Sequence, residues 1–343
     1  MPNTGLPPAP GLPAPRLEEL LAGAHVVSLP MRVKFRGIMQ RESLLLRGPM
    51  GWGEFCPFPE YGDAEASRWL AAAIEAGWQG FPAPLRDSIP VNATVPAVSA
   101  DRVAEVLARF GRVDAVKVKV AEQGQSLDDD VARVHAVRAA LPAAAIRVDA
   151  NGGWDVPGAV ASLTRLAPVG LEYAEQPVPS IEGLAEVRSL LRAAGTPVLI
   201  AADESVRKET DPLKVARAGA ADLLVVKVGP LGGVRRALDI VAHAGLPAVV
   251  SSALDTSVGI RAGLALAAAL PELPYACGLG TVSLFESDIT LDPLVADDGA
   301  IRLRDVAADA GLLERFAAPA ERRDWWLDRL RRVHALLTPS IAE

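Results

Sequence analysis

The sequence predicts an α/β protein whose main part is a parallel barrel of the TIM type. From about residue 89 onward, eight strand-like runs alternate with seven helix-like runs. The strand-like runs are almost continuously hydrophobic, as parallel strands are when both of their faces are buried. An open, doubly wound sheet is the alternative. The even spacing of eight repeats favours a closed barrel over that alternative.

The segments before the barrel predict a tail and a small α+β unit. Residues 1–15 are rich in proline and lack the basic start and apolar core of a signal peptide, so we expect a disordered tail. Alternating strands around 25–33 and 42–55, followed by an amphipathic helix at 64–78, form the unit. Residues 31–40 and 55–62 are expected to be loops, which either cover a site or only connect elements.

The segments after the barrel predict a turn and a final helix. The Asp-Asp-Gly sequence at 297–299 has the composition of a tight turn. Residues 321–337 predict an amphipathic helix. Its apolar stripe consists of Trp326, Leu330, Val333 and Leu337. We expect this last part of the chain to return and cover the N-terminal unit.

Composition excludes several classes of protein. Half of the 343 residues are hydrophobic, 22% are charged, and the net charge is −7, which describes a folded protein unsuited to nucleic acid or an anionic membrane surface. Only two cysteines and four scattered histidines are present, so neither a disulfide framework nor a zinc site is expected. No apolar run is long enough to span a membrane. We therefore expect a cytoplasmic protein.

Three carboxylates end successive strands of the predicted barrel. Asp149, Glu175 and Asp203 follow one another at spacings of 26 and 28 residues, which is one βα repeat each time. Because the carboxyl ends of barrel strands meet at one rim, the three side chains can converge there. Three oxygen ligands without histidine or cysteine favour Mg²⁺, with Mn²⁺ as the alternative. The acids could instead cap the following helices, but Asp155 and Asp211 suit that role better.

Lysines accompany these carboxylates. Lys117 and Lys119 lie two residues apart and share one face of a strand, where repulsion and burial should lower the pKa of each amine and favour a general base. The alternative is a pair of solvated lysines on an edge strand, but the flanking valines favour a central strand. Lys227 should face Lys119 across the barrel mouth, with the metal between them. Such a site suits removal of a proton α to a carboxylate, with the metal stabilising the enediolate.

Two further residues are candidates at the same rim. Asn151 shares the face of Asp149 and could orient a ligand or the substrate. Glu204, adjacent to Asp203, is predicted to point to the opposite face and is the second choice as a metal ligand.

Five motifs together carry a resemblance to a known family. They are KVK at 117–119, DAN at 149–151, EQP at 175–177, DES at 203–205 and VVKVGPLGG at 225–233. In this order, one per strand, they resemble the enolase superfamily, in its muconate-lactonising-enzyme-like subgroup. The resemblance implies a modified TIM barrel, (β/α)7β, with an α+β capping domain formed by both termini. We expect the cap to comprise 16–88 and about 290–343, and the barrel to comprise 89–289.

Within the subgroup, the chain most resembles the dehydratases of menaquinone biosynthesis, in the segments MRVKFRGI, GWGEFCPFPEY, RVDANGGW, SSALDTSVG and CGLGT. The resemblance implies that Lys119 takes the α-proton of 2-succinyl-6-hydroxy-2,4-cyclohexadiene-1-carboxylate (SHCHC) and then assists the departure of hydroxide in a syn elimination. Lys227 would remain cationic and stabilise the enediolate, and Arg147 and Lys117 would tune the site. The implied substrate-binding residues are Arg147, Asn151, Ser251, Ser252 and Gly280.

Other activities remain open. Racemisation of N-succinylamino acids would use Lys119 and Lys227 as bases on opposite faces of the substrate. Dipeptide epimerases carry a DxD pair near the eighth strand. This chain has CGLGT there, without an acid, which counts against dipeptide epimerisation. Muconate cycloisomerisation is less favoured by the loops, and a barrel without catalysis is the alternative from another class. Ser251 and Ser252 could also be a helix-capping pair. The sequence predicts a small carboxylate substrate and leaves the oligomeric state open.

Overall fold

The computed structural model describes residues 15–35, 37–206 and 211–337. The predicted disordered tail lies outside these residues except for Pro15. Pro15 is buried, and its carbonyl oxygen lies 3.0 Å from Nε2 of His334.

The N-terminal elements form a three-stranded antiparallel sheet against one helix. They are α1 (Leu17–Ala22), β1 (Ala24–Phe35), β2 (Ile38–Gly48), β3 (Gly51–Phe55) and α2 (Asp63–Ile74), which continues as a π-helical segment, Glu75–Gln79. Strand β1 alternates in burial toward its end, with Leu29, Met31, Val33 and Phe35 inside. The prediction of a loop at 31–40 was therefore wrong, because β1 and β2 stay paired as far as Phe35 and Ile38.

Seven parallel strands in sequence order form the barrel wall. They are β5 (Ala93–Val95), β6 (Ala115–Lys119), β7 (Ala145–Asp149), β8 (Leu171–Glu175), β9 (Leu199–Ala202), β10 (Leu223–Val226) and β11 (Ala248–Val250). The predicted first strand is divided, because its beginning forms a separate strand, β4 (Ser88–Pro90), that pairs elsewhere.

Helices follow the strands and cover the barrel. They are α3 (Val103–Leu107), α4 (Leu127–Ala140), α5 (Val156–Leu166), α6 (Ile181–Ala193), α7 (Asp211–Arg217), α8 (Val228–Leu231), α9 (Val234–Ala244) and α10 (Ser257–Ala269). All seven predicted helices are found. The short helix α8, directly after β10, is additional. Asp155 accepts a hydrogen bond from the N–H of Gly158 at 2.8 Å, which confirms it as the N-cap of α5.

The eighth strand is reduced to one pair of residues, and yet it joins the two edges of the sheet. Cys277 bridges in parallel to Val91, and Gly278 bridges in parallel to Ser251. The N–H of Gly278 donates to the carbonyl oxygen of Val250 at 2.8 Å. The predicted barrel of the TIM type is thereby confirmed, with a final strand shorter than the sequence pattern indicated.

The chain ends against the N-terminal sheet. Strand β12 (Ala300–Arg302) pairs with β4, and α11 (Ala310–Arg315) leads into α12 (Ala320–Leu337), which packs against α2 and β1. Trp326 is fully buried, donates from Nε1 to Glu42 at 2.9 Å, and meets Phe55 edge-on. Within the described part of the chain, none of the helices combines the length and the apolar character needed to cross a membrane.

The close approach of β2 to the segment after α2 gives a test of the N-terminal packing. A Cβ atom at Gly48 would lie 2.1 Å from the carbonyl oxygen of Gly77, whereas a Cβ at Gly77 would meet nothing nearer than 3.6 Å. We expect Gly48→Ala to lower the free energy of unfolding by about 1–3 kcal/mol, because backbone must move. Gly77→Ala, on the same interface, should change it by less than about 0.5 kcal/mol. Urea unfolding measures both, and equal effects would contradict this packing.

Candidate active site

The carboxyl ends of β6, β7 and β8 present charged side chains in one layer. Lys119, Asp149 and Glu175 are paired in register across these three strands. Asp203 follows β9 directly, and Lys227 follows β10 directly. Because neighbouring parallel strands end at the same rim, the three predicted metal ligands lie between the two lysines in the order of the strands.

Each carboxylate of this layer contacts a lysine. Lys117 Nζ lies 2.9 Å from Glu175 Oε1 and 3.2 Å from Asp149 Oδ2. Lys119 Nζ lies 2.5 Å from the same Asp149 oxygen, and Lys227 Nζ contacts Asp203 Oδ1. The three carboxylate side chains are 1–6% exposed, and the three lysine side chains are 10–12% exposed. Three lysines and three carboxylates thus lie in contact at a largely buried rim.

This pairing sets the pKa values in the site. Burial alone would lower the pKa of Lys117, but the carboxylates of Glu175 and Asp149 outweigh it and raise that pKa. The predicted lowering of the pKa was therefore wrong for Lys117. Its amine contacts two carboxylates, and their attraction for the charged amine outweighs the effect of burial. Burial, together with the charge of Asp149, raises the pKa of Glu175 to about 8. Burial would raise the pKa of Asp149, but the positive charges of Lys119 and Lys117 outweigh burial and lower that pKa.

A small cavity of about 40 Å³ lies over these charges. It is lined by Phe35, Phe58, Thr94, Lys117, Lys119, Asp149, Asn151, Asp203, Lys227, Ser251, Ser252, Ala253, Leu254, Gly278 and Thr281. A second cavity of about 420 Å³ shares Phe35, Lys119 and Asn151 with it and also contains Lys34. The Phe35 ring lies 5.3 Å from Lys119 Nζ. Phe35, from the N-terminal sheet, therefore stands between an inner and an outer space.

Three of the predicted substrate-binding residues line the inner cavity. Asn151 accepts from Lys119 Nζ at 2.6 Å through Oδ1, and Ser252 Oγ donates to the carbonyl oxygen of Gly278 at 3.1 Å. Ser251 lies beside them. Neither serine caps a helix, because the N-cap of α10 is Thr256. The capping alternative for the two serines was thus wrong.

Gly280 does not line this cavity. It begins a short 3-10 helix, Gly280–Leu284, where a Cβ would lie 3.1 Å from the carbonyl oxygen of Asn92. The neighbouring residues Gly278 and Thr281 line the cavity in its place.

Arg147 points into the barrel but lies one layer below the cavity, in register with Lys117 and Tyr173. It is 1% exposed, and its guanidinium contacts Glu172 at 2.6 Å and the carbonyl oxygen of Ala276 at 2.6 Å. Arg147 does not line the cavity, because its guanidinium is turned towards Glu172, Asn92 and Ala276, whereas Lys117 of the same layer extends to the rim. Its contact with Ala276 instead fixes the short eighth strand.

Family models identify the chain over most of its length. A model described as Enolase C-terminal domain-like matches residues 99–312, and one described as Enolase N-terminal domain-like matches residues 26–77. This chain belongs to the enolase superfamily.

Curated relatives narrow the position within the superfamily. A Mycolicibacterium smegmatis protein named o-succinylbenzoate synthase is 56% identical over 94% of this chain and 98% of its own length. Proteins of the same name from Mycobacterium tuberculosis and Mycobacterium leprae are 54% and 53% identical, over 95% of this chain. These two alignments cover 98% and 95% of the lengths of the relatives.

Solved structures of the superfamily share the fold. Muconate lactonizing enzyme from Pseudomonas putida aligns with a TM-score of 0.71 at 23% identity, covering 86% of this chain and 98% of its own. The 2-chloromuconate cycloisomerase from Rhodococcus opacus aligns with a TM-score of 0.74 at 24% identity, over 87% and 98%. These likenesses confirm the predicted combination of barrel and cap.

Membership of the superfamily implies a divalent metal, and the rim fits one. Asp149, Glu175 and Asp203 supply buried carboxylate oxygens with no histidine or cysteine beside them, which is the donor set that hard cations prefer. Asp149 Oδ1 also accepts from the N–H of Asn151 at 3.1 Å, which orients the carboxylate.

Two residues next to the rim differ from expectation. Glu204 was predicted to point away, but its Oε1 accepts from Asn151 Nδ2 at 3.2 Å, because the strand has ended and alternation no longer applies.

Gln176 was not identified from the sequence as a residue of the site. It is fully buried, and its Oε1 accepts from the N–H groups of Asp203 and Ser205 at 3.0 and 3.2 Å. Its place directly after Glu175 in the EQP motif was the available signal.

A second acidic group lies between the N-terminal sheet and the barrel. Glu54, Cys56 and Asp255 bring one possible ligand atom each within 4.8 Å of one another. Glu54, however, already accepts from Thr256 and Gly259, and the buried guanidinium of Arg41 lies nearby. A group so supplied with donors and positive charge fits a structural contact better than a cation site.

The position of Arg147 predicts a structural effect. Arg147→Met removes the donors to Ala276 and Asn92 and leaves Glu172 without its partner. We expect the free energy of unfolding to fall by about 2–4 kcal/mol, as for the loss of one buried ionic partner. Glu172→Gln keeps an acceptor oxygen for the buried guanidinium, so it should cost less than Arg147→Met, although the guanidinium loses its anionic partner. Urea unfolding compares them, and an unchanged Arg147→Met protein would contradict this assignment.

Proposed function

We propose that the chain is an o-succinylbenzoate synthase of menaquinone biosynthesis, which dehydrates SHCHC to 2-succinylbenzoate. The names of relatives at 53–56% identity support this proposal. The observation that carries it is the shared cavity, in which Lys119, Asp149, Asp203 and Lys227 meet. A base, an anionic metal site and a second cation are what removal of a proton next to a carboxylate requires.

We assign Mg²⁺ as the cofactor, with Mn²⁺ as a substitute, and Asp149, Glu175 and Asp203 as the residues that hold it. When bound, the ion supplies positive charge near the substrate carboxylate and so favours the negative charge that develops there as the α-proton leaves. Gln176 holds the backbone of Asp203, and the N–H of Asn151 orients Asp149.

Lys119 is the general base and then the general acid in this proposal. Its amine lines the cavity, and its contacts with Asp149 and Asn151 fix its direction. As a neutral amine it takes the proton from the ring carbon that bears the carboxylate. The resulting ammonium then donates that proton to the hydroxyl on the adjacent ring carbon, which leaves as water from the same face. Loss of water makes the ring aromatic.

The other two lysines provide charge. Lys227 lines the same cavity beyond the carboxylates and, as an ammonium, stabilises the negative charge on the substrate. Lys117 lies between Glu175 and Asp149, and its raised pKa keeps it protonated beside them. Asn151, Ser251 and Ser252 are the residues that we assign to substrate contact.

A second candidate is racemisation of N-succinylamino acids. It is favoured by one observation, namely that Lys227 as well as Lys119 lines the cavity, so that two bases could reach opposite faces of one substrate.

For either reaction, we expect the protein to act on a small soluble carboxylate in the cytoplasm.

An assay of both reactions tests the proposal. With Mg²⁺, purified protein should form 2-succinylbenzoate from SHCHC, and racemisation of N-succinylphenylglycine should be slower. Removing divalent metal with EDTA should abolish dehydration, because the developing charge would lose its counter-ion, and added Mg²⁺ should restore it. A metal-dependent rate with the amino acid alone would overturn the proposal in favour of racemisation.

The role of Lys119 gives a second test. Lys119→Ala should reduce the rate of dehydration by about 10⁴-fold, since the same amine is needed as base and as acid. Lys214→Ala, which removes a lysine that is 60% exposed on α7, should leave the rate unchanged. Circular dichroism checks that both proteins are folded. A Lys119→Ala protein with near wild-type turnover would show that another group takes the proton.

A further inference from the structure

The loop that follows β11 forms one wall of the inner cavity, through Ala253 and Leu254. Arg41, on strand β2 of the N-terminal sheet, donates from Nε to the carbonyl oxygen of Leu254 at 3.1 Å and from Nη2 to that of Ala253 at 3.0 Å. More than two hundred residues separate the partners in sequence. Arg41 is 2% exposed and does not itself line the cavity.

The same guanidinium contacts a second part of the wall. Its Nη2 donates to the carbonyl oxygen of Cys56 at 2.5 Å, and its carbon lies 4.2 Å from the centre of the Phe58 ring. Phe58 lines the cavity. Arg41 therefore connects three wall residues, Ala253, Leu254 and Phe58, that belong to two distant segments. The planar guanidinium, with five donors, can do this where an ammonium cannot.

Glu54, on β3, fixes the far end of the same loop. It accepts from Thr256 Oγ1 at 2.7 Å and from the N–H of Gly259 at 2.7 Å, at the N-terminus of α10. Ser43 Oγ on β2 donates to its other oxygen at 2.9 Å. Residues 253–256, which we call the 253–256 loop, are thus held at both ends by side chains of the N-terminal sheet.

The 253–256 loop borders two small cavities. A cavity of about 30 Å³ lies beside it, and Ala253 and Lys227 line both that space and the inner cavity of about 40 Å³. Leu254 has a φ of +60°, a conformation that a branched side chain seldom adopts without support from its surroundings. The hydrogen bonds that Arg41 donates and those that Glu54 accepts are that support.

We propose that Arg41 is a positioning residue for the reaction, which sets the distance between the substrate and Lys119 by fixing the wall formed by Ala253, Leu254 and Phe58. Glu54 assists by anchoring the 253–256 loop to α10. The inference rests on the proposed function, since it concerns how the same site accepts its substrate. A substrate in which a flat ring and a succinyl chain must both fit is sensitive to the place of this wall.

The test compares Arg41→Met and Arg41→Lys with Arg86→Met. Arg86 is a matched control, because it also donates to carbonyl oxygens at the end of α10, those of Ala267 and Leu270, and neither it nor these partners line the cavity. The measurements are kcat and KM for SHCHC, the Kd of the product 2-succinylbenzoate, the ratio of dehydration to N-succinylphenylglycine racemisation, and the melting temperature.

We expect Arg41→Met to raise the Kd of 2-succinylbenzoate about tenfold and to lower kcat/KM for SHCHC by about 10- to 100-fold, as a misplacement near 1 Å would. The ratio of dehydration to racemisation should fall, and Arg41→Lys should recover part of each effect. Arg86→Met should lower only the melting temperature. If Arg41→Met does not fold, Arg41→Lys and Glu54→Gln carry the test, with smaller changes in the same direction.

Two results would overturn the inference. One is a folded Arg41→Met protein with wild-type Kd and an unchanged ratio of the two activities. The other is an equal change of Kd in Arg86→Met, which would indicate a general loss of stability. Wild-type protein without any dehydration would instead overturn the proposed function. The inference would then be judged on racemisation, where Arg41→Met should raise KM by the same factor.

Discussion

The balance of buried charge at the barrel mouth is the constraint on which the rest of the structure depends. Asp149, Glu175 and Asp203 lie in a nearly dry site, where an isolated carboxylate would cost several kcal/mol. Each is compensated by a lysine within contact distance. This compensation requires the observed strand register, because a slip of one residue would turn the charged side chains of that strand to its opposite face. The charges and the strand register therefore support each other.

The layer of side chains below the rim also contains a buried charge that needs a partner. Arg147, below the rim, is balanced by Glu172 and held by the carbonyl oxygen of Ala276, next to the reduced eighth strand. A strand of two bridging residues has few backbone hydrogen bonds, so a side-chain contact at its start adds a necessary constraint. Closure of the barrel and placement of the catalytic layer are thus connected through one buried cation.

Much of the site could be predicted from the sequence because it depends on local rules. Strand alternation and the repeat length were enough to bring Lys119, Asp149 and Asp203 to one rim. The same rules failed where their conditions end. Alternation stops where a strand ends, so Glu204 was expected on the wrong side. Arg147 was assigned to the substrate by the family resemblance alone, and its guanidinium contacts Glu172 and Ala276 instead. The pKa of Lys117 depended on distances to carboxylates that no spacing rule supplies.

The wall of the site lies beyond any such rule. Arg41 meets the 253–256 loop only because the N-terminal sheet folds over the barrel, and no periodicity in either segment indicates that contact. The molecule in this way separates two tasks. The barrel supplies the charges that make proton removal possible, and both Lys119 and Lys227 are available to a substrate in the cavity. With two such amines present, the chemistry of the rim alone does not distinguish dehydration from racemisation. The distinction must then come from how the wall orients the substrate, and the side chains that hold the wall belong to the N-terminal sheet.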